Sequence, residues 1–215
     1  MSDREVLDTS RKKGFLMPKV ATQASVSLDG FIAGPENGGF EYLFAWCRAG
    51  DVEVPTASGR SYKVAEASAD YVRDMIEGYG ALVVGRNQFD GMDGWGGQHP
   101  MRVQVFVVTH SVPEGWAPES DEFVFVTEGG VKAAIDHAKA VAGDKNVGVG
   151  PGIVAREALE EGLLDEVRLD LVPYMLGDGV RFVDTLGSAP RKFGEPRVIQ
   201  GKKVTHLIYP VETNE

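Results

Sequence analysis

Segments typical of β-strands alternate with segments typical of α-helices along most of this chain. Short β-branched apolar runs predict strands, and apolar residues recurring every three or four positions predict helices between them. Strands are predicted at residues 19–28, 81–85, 103–110, 123–127, 146–150 and 166–176, and helices at 65–77, 131–142 and 155–163. This alternation is typical of an α/β fold, in which a mostly parallel sheet carries helices on both faces.

Three regions depart from the alternation. Two short apolar runs around residues 200–203 predict a C-terminal antiparallel hairpin. Residues 48–62 show neither period and are predicted to form an irregular insertion. We find no repeat and no linker, so we predict one domain over residues 18–215. Residues 1–17 are interpreted as a disordered, mobile extension or a remnant of cloning.

Composition argues against several classes of protein. The chain is 43% hydrophobic and 25% charged, as is usual for soluble globular domains. No apolar run approaches the roughly 18 residues that a membrane span needs. The formal net charge is −10 and no basic cluster occurs, which argues against a nucleic-acid surface. We therefore expect neither nucleic acid nor membrane as a partner.

The single cysteine bears on the cellular compartment. One thiol cannot form an internal disulfide, so the fold does not require an oxidising environment. The N-terminal residues lack the apolar segment of a signal peptide. We expect a cytoplasmic protein in which Cys47, in an apolar context, is a buried small side chain.

Polar residues follow several predicted strands directly, where α/β sheets bind their ligands. Gly85 would let the backbone approach a phosphate, and Arg86 would add a bidentate clamp. Thr109, His110 and Ser111 suit a phosphate or a ribose. The alternative for Arg86 is a surface position on a tight turn, and the alternative for residues 109–111 is a capped turn.

Two further strand ends carry similar signals. Asp29 follows the first strand and is either a turn residue or part of the same cleft. Gly148, Gly150 and Gly152 alternate across a strand-to-helix turn, nearly as in the dinucleotide fingerprint, although Ile153 replaces its third glycine. A cofactor turn and a plain tight turn both remain open.

Other familiar chemistry is absent from the sequence. No Cys/His set has metal-ligand spacing, so no metal site is predicted, and there is no Walker loop or GxSxG elbow. Most of the four scattered histidines are expected to be solvated or in turns: His99, His110, His137 and His206.

Four stretches together resemble a known family: "SLDGFIAG", "ALVVGRNQFDG", "VFVVTH" and "VGVGPGIVAREALEEGLLDEVRLDLVPYMLGDGVRF". They are similar to the dihydrofolate-reductase-like fold, in the branch of the C-terminal reductase domain of the riboflavin-pathway deaminase–reductase (RibD). The resemblance covers about residues 18–211. It implies hydride transfer from NADPH to a C=N or C=O bond of a small heterocyclic substrate, pyrimidine- or pteridine-like.

The resemblance also implies roles for individual residues. The Gly-Arg pair would bind cofactor phosphate, the polar residues after the next strand the adenosine phosphate end, and the glycine turn the pyrophosphate and nicotinamide. The implied cofactor-binding residues are Ile32, Ala33, Gly85, Arg86, Thr109, His110, Ser111, Gly150, Pro151, Gly152, Ile153 and Val154. Asp29 is the candidate catalytic residue, shaping the site of proton delivery, with a water as the alternative proton source.

Two rival functions remain. Folate reductases of this fold carry a carboxylate on the helix before the Gly-Arg pair, where spacing puts Ala69 here and turns Asp70 about 100° away. Dihydrofolate or pterin reduction is therefore an alternative rather than the first expectation. The rival of another class is a non-catalytic NADPH-binding sensor or interaction protein. Related domains commonly pair, so a homodimer is expected, with residues 166–176 and the C-terminal strands near its interface.

The Gly150–Pro151 bond has two alternative forms. Folate reductases join the corresponding glycines by a cis peptide, and X–Pro bonds adopt cis at far lower cost than other bonds. Only about 5–6% of X–Pro bonds in folded proteins are cis, however, which favours a trans proline that simply opens the helix.

Overall fold

The computed structural model describes residues 18–116 and 121–212. Residues 1–17, interpreted above as a mobile extension or a remnant of cloning, lie outside these ranges. The strands are β1 (Val20–Val26), β2 (Phe31–Ala33), β3 (Val52–Pro55), β4 (Ser61–Val64), β5 (Tyr79–Gly85), β6 (Gln104–Val108), β7 (Phe123–Val126), β8 (Asn146–Val149), β9 (Glu166–Leu171), β10 (Val180–Arg181), β11 (Arg197–Gln200) and β12 (Thr205–Pro210). The α-helices are α1 (Phe40–Leu43), α2 (Glu66–Gly78), α3 (Arg86–Gly91), α4 (Gly130–Ala142) and α5 (Ile153–Glu160).

Eight strands form the central sheet, in the order β11-β12-β9-β1-β8-β5-β6-β7. All pairs from β9 to β7 are parallel. Strand β12 is antiparallel to β9, and β11 is antiparallel to β12. The prediction of an α/β fold with a mostly parallel sheet and a C-terminal antiparallel hairpin is confirmed.

Helices cover both faces of this sheet. On one face, α4 and α5 bury Ile135 and Ala158 against Val83 and Val149. On the other face, α2 contributes Val72 to a second apolar cluster. None of the helices in the described ranges is long and apolar enough to cross a membrane.

The prediction of an irregular insertion at residues 48–62 is wrong in part. Strands β3 and β4 within this region pair as an antiparallel hairpin. Val54 and Val64 are buried in the α2-side cluster, whereas Glu53 and Lys63 are exposed. Each strand spans only four residues, which is too short for its alternation to stand out in the sequence.

Strand β9 also differs from expectation. The apolar side chains of Val167, Leu169 and Leu171 alternate as predicted for a strand with one covered face. The residues that alternate with them, Glu166, Arg168 and Asp170, are nevertheless only 7%, 9% and 2% exposed. The strand is therefore buried on both faces, and one of those faces is polar.

Candidate active site

The four strand ends identified in the sequence meet along one edge of the sheet. Strands β1, β8, β5 and β6 are consecutive neighbours and run parallel, so their carboxyl ends lie side by side. Three strand spacings of about 4.8 Å give this row a length of about 14 Å. An elongated ligand could therefore contact all four stretches at once.

Arg86 connects the ends of β5 and β6. Its Nη1 donates to the carbonyl oxygen of Ser111 at 3.1 Å. Thr109 Oγ1 donates to the same carbonyl at 2.9 Å and accepts from the Ser111 N–H at 3.3 Å, so this stretch is also a capped turn. His110, between them, is exposed. The structure thus brings together the Gly-Arg pair and the polar residues after β6.

The Arg86 guanidinium has an anionic neighbour that the sequence analysis did not identify. Its Nε donates to both carboxylate oxygens of Asp90, at 2.7 and 2.8 Å. The two residues lie one helical turn apart in α3, and this i,i+4 spacing was the available signal. Any anion bound by this guanidinium would share it with Asp90.

The glycine turn after β8 packs closely against the end of β5. The Gly150 N–H donates to the Val83 carbonyl at 2.7 Å. A Cβ on Gly150 would lie 2.2 Å from Gln88 Oε1, and a Cβ on Gly85 would lie 3.0 Å from Val154 Cγ2. The absence of both side chains therefore lets the two strand ends approach each other.

The Gly150–Pro151 bond is trans, so the cis alternative is wrong; the cis peptide among the described residues is at Ala189–Pro190. Gly152 makes the reversal instead, with a φ of +83° that favours glycine. Its N–H donates to the Phe182 carbonyl at 3.0 Å, so it is already engaged. Ile153 and Val154 open α5, where the first N–H groups have no partner within the helix and no side chain caps the end.

Asp29 anchors a neighbouring loop. Its carboxylate accepts from the Ser27 hydroxyl at 2.6 Å and from the N–H groups of Leu176 and Gly177 at 3.1 and 2.7 Å. The Ser27 hydroxyl, followed by the two N–H groups, lowers the pKa of Asp29 to about 2. The carboxyl group is therefore ionised at neutral pH, which favours the turn role over proton donation.

Phe182 joins the first strand end to the glycine turn. Its N–H donates to the Gly30 carbonyl, and its own carbonyl accepts from Gly152, both at 3.0 Å. The preceding residue, Arg181, is exposed and places its guanidinium carbon 4.6 Å from the centre of the Phe31 ring. The sequence analysis missed both residues because β10 has only two residues and no visible period.

The other implied cofactor residues lie beside this junction. Ile32 is partly exposed and Ala33 is buried in β2. Ala33 pairs with Val180 of β10. A Cβ on Gly179 would lie 2.1 Å from the Ala33 carbonyl oxygen, so the close approach of the two strands depends on glycine there.

A polar cluster lies beneath the carboxyl edge, between the sheet and α2. Asp170 accepts from the Tyr71 hydroxyl at 2.8 Å, from His206 Nδ1 at 2.7 Å and from Gln23 Nε2 at 3.1 Å. His206 Nε2 lies 2.9 Å from Ser68 Oγ. We call these five residues the Asp170 cluster.

The Asp170 cluster has the distances of a Ser-His-Asp triad without its accessibility. Ser68 is 1% exposed and His206 is 0% exposed. The Tyr71 ring lies 4.3 Å from the His206 ring, centre to centre, and the Trp46 ring 5.1 Å. A nucleophile must reach its substrate, so the arrangement supports a structural role rather than acyl transfer.

The histidines follow the expectation except at His206. His110 and His137 are exposed, and His99 lies in a loop. Burial lowers the pKa of His99 to about 4. His206 is wholly buried instead, because three elements distant in sequence supply its partners.

The exposure of Ala69 and Asp70 on α2, and the burial of Cys47, agree with what the sequence predicts. Ala69 is buried, whereas the side chain of Asp70 is 96% exposed, as the 100° rotation between them implies. Cys47 is buried as predicted, and burial raises its pKa to about 12.

Residues 18–205 match the model of the RibD C-terminal domain family. The chain belongs to this family. A search of curated proteins finds no match. Among solved structures, a protein from Shewanella sp. PV-4 whose name refers to riboflavin biosynthesis is 22% identical, with a TM-score of 0.64, covering 91% of this chain and 99% of its own.

Two other solved structures place this RibD C-terminal domain in its wider fold. A Thermotoga maritima diaminohydroxyphosphoribosylaminopyrimidine deaminase/5-amino-6-(5-phosphoribosylamino)uracil reductase is 16% identical, with a TM-score of 0.59 and coverage of 91% of this chain and 57% of that one. Enterococcus faecalis dihydrofolate reductase, complexed with NADP(H), is 13% identical, with a TM-score of 0.52 and coverage of 92% and 97%. At these identities the likeness shows the fold, which is dihydrofolate-reductase-like.

Proposed function

We propose that this RibD C-terminal domain is an NADPH-dependent reductase of a C=N or C=O bond in a small heterocyclic substrate, pyrimidine- or pteridine-like. The observation that carries the proposal is the meeting of four strand-end stretches along one edge, with Arg86 towards one end of the row and the glycine turn in its middle. Two similar structures support it, since one is a phosphoribosylaminouracil reductase and the other a dihydrofolate reductase complexed with NADP(H).

The residues at this edge fit a phosphate-bearing dinucleotide. Gly150 presents bare backbone, and Gln88 Oε1 beside it is a buried acceptor without a protein partner among the described residues, which suits a hydroxyl or amide donor of the dinucleotide rather than its phosphate. The opening turn of α5 offers the N–H groups of Ile153 and Val154 and the positive end of the helix dipole. Arg86 and the 109–111 turn would hold the phosphate of the adenosine end. The first strand end, with Ile32 and Ala33, would face the nicotinamide.

The cofactor would supply a hydride, and the chain would supply position and shielding from water. The β3–β4 hairpin packs beside the sheet through Trp46: the Trp46 ring lies 6.4 Å, centre to centre, from that of Tyr62 in β4, and Trp46 Nε1 donates to Ser25 Oγ of β1 at 3.0 Å. The ionised Asp29 would hold the 176–177 backbone in place. We propose that the proton comes from water rather than from Asp29.

The test is a turnover assay with three substrates. The purified chain is mixed with NADPH and either 5-amino-6-(5-phosphoribosylamino)uracil, its dephosphorylated form or dihydrofolate, and loss of nicotinamide absorbance is followed. Oxidation with a pyrimidine substrate is expected. Turnover with dihydrofolate alone would replace the expected pyrimidine substrate by the alternative of folate reduction, and binding of NADPH without any turnover would favour the non-catalytic alternative.

We also propose that the protein is a homodimer that pairs near the β11 edge of the sheet. Val198 on this edge strand is 57% exposed, and Met175, just beyond β9, is 73% exposed. Apolar side chains on an open sheet edge favour contact with a second copy. Light scattering at micromolar concentration should give twice the mass of the chain, and a monomer mass would contradict the proposal.

A further inference from the structure

Arg181 is a cation at the first strand end whose guanidinium has no carboxylate partner among the residues that the structure describes. The side chain is exposed, and its guanidinium carbon lies 4.6 Å from the centre of the Phe31 ring. Arg86, towards the other end of the row, differs because its Nε donates to both oxygens of Asp90. The Arg181 guanidinium can therefore bind an anion without first giving up an ion pair.

Two carboxylates of the surrounding loops are engaged by other groups instead. Asp178 Oδ1 accepts from the Gly179 N–H at 2.7 Å. The Asp29 carboxylate accepts from the Ser27 hydroxyl and from two backbone N–H groups of the loop after β9. Neither acidic side chain therefore neutralises Arg181 by direct contact, although both belong to the same junction.

The Phe31 ring holds the guanidinium in place. A guanidinium over the face of an aromatic ring is attracted by a cation–π interaction, and its planar fork can bind two oxygens of one phosphate or carboxylate. Phe31 is only 5% exposed, and the backbone of Phe182 is bonded to Gly30 and Gly152, so both supports of Arg181 are fixed in the fold. Less side-chain freedom is therefore lost when an anion binds here than at an unsupported surface arginine.

The position of Arg181 favours the substrate rather than the cofactor as the source of the anion. Arg86 and the opening turn of α5 would hold the phosphates of the dinucleotide, and the first strand end would face the nicotinamide. A substrate must place its reacting carbon about 3–3.5 Å from the nicotinamide carbon that gives up the hydride. It would therefore lie at the same end of the row as Arg181, whose Nη1 is 3.8 Å from the position that a Cβ on Gly30 would take.

We propose that Arg181 binds an anionic substituent of the substrate, such as the phosphate of a sugar phosphate, and thereby sets the preference of the reductase for charged over uncharged substrates. The inference rests on the proposed function, because it takes the substrate to lie against the nicotinamide. Arg181 acts in binding alone and takes part in no chemical step.

The test measures binding of 5-amino-6-(5-phosphoribosylamino)uracil and of its dephosphorylated form to the full chain saturated with NADP⁺, by calorimetry. The oxidised cofactor cannot reduce either compound, so binding is observed without turnover. Wild type should bind the phosphorylated compound about ten- to hundredfold more tightly, the range for a hydrogen bond to a charged group. Arg181→Met keeps an unbranched stem over Phe31 and removes the charge. It should lose this preference and bind the dephosphorylated compound as wild type does.

Three controls separate the anion site from a general loss of structure. Arg181→Lys keeps the charge without the planar fork and should retain part of the preference. Arg73→Met removes an arginine from the surface of α2 and should bind both compounds as wild type does. Titration of Arg181→Met with NADPH should give the wild-type dissociation constant, because the phosphates of the cofactor would lie elsewhere.

The outcomes distinguish this inference from the proposed function. Wild-type binding that is absent or equal for the two compounds, or an unchanged preference in Arg181→Met, would overturn the inference, and turnover with NADPH would still support the reductase. Weaker NADPH binding in Arg181→Met would assign the arginine to the cofactor and also overturn the inference. A lack of turnover would contradict the proposed function, whereas a preference lost in Arg181→Met would still support Arg181 as the residue that binds the anion.

Discussion

Replacing Asp170 with alanine is expected to lower the free energy of unfolding by about 3–5 kcal/mol, the cost of breaking a buried charged network by removing one member. The Asp170 carboxylate accepts three hydrogen bonds, from Tyr71, His206 and Gln23. In the variant these donors stay buried and lose their acceptor. Urea unfolding of both proteins measures the difference.

A matched control separates burial from charge. Asp70→Ala removes the same side chain from α2, where it is 96% exposed and pairs with Arg73 at 2.6 Å. Exposed ion pairs contribute about 0–1 kcal/mol, so this variant should unfold near the wild-type midpoint. Asp170→Asn, which keeps an acceptor oxygen, should fall between the two. An Asp170→Ala midpoint equal to that of Asp70→Ala would show that the Asp170 cluster does not stabilise the fold.

Replacing Arg86 with alanine is expected to weaken NADPH binding by about 1.5–3 kcal/mol, the range for a hydrogen bond to a charged group. This corresponds to a roughly ten- to hundredfold higher dissociation constant. The guanidinium already reaches the 109–111 turn through Ser111, so a phosphate bound there would lie within its reach. Binding of NADH should fall less, because it lacks the additional phosphate.

Arg73→Ala is the control for this experiment. Arg73 pairs with Asp70 on the surface of α2, much as Arg86 pairs with Asp90 on α3, and its loss changes the net charge equally. It does not lie at the carboxyl edge, so NADPH affinity should stay at the wild-type value. Equal affinities of the two variants would remove Arg86 from the cofactor site.

The mostly parallel sheet and the helices between its strands could be predicted from periodicity. The strands are apolar on at least one face, and amphipathic helices separate them along the chain. The buried polar face of β9 could not be predicted in this way. Alternation of Arg168 and Asp170 with apolar residues is typical of a strand with a solvated face. The partners of Asp170 come from far along the chain, from Tyr71, His206 and Gln23, whereas Arg168 pairs with Glu166 of its own strand and lies over the ring of Tyr79.

The same distinction applies to the candidate site. Gly85, Arg86 and Gly150 could be identified because each lies at the end of a strand or directly after it, and parallel strand ends meet at one edge. The bridging role of Phe182 could not be predicted, since it depends on backbone groups of Gly30 and Gly152 that any sequence would offer. The bond at Pro151 is trans, and the chain reverses at Gly152, whose φ is positive.

Titration of the wild-type protein with NADPH and with NADH, followed by nicotinamide fluorescence in one buffer, tests the proposed cofactor site most directly. Arg86, Thr109, His110 and Ser111 form a group of donors suited to the additional phosphate. NADPH should therefore bind at least about tenfold more tightly than NADH, a difference of about 1.4 kcal/mol. Equal affinities for the two cofactors, or no binding of either, would contradict the assignment of this edge as an NADPH site.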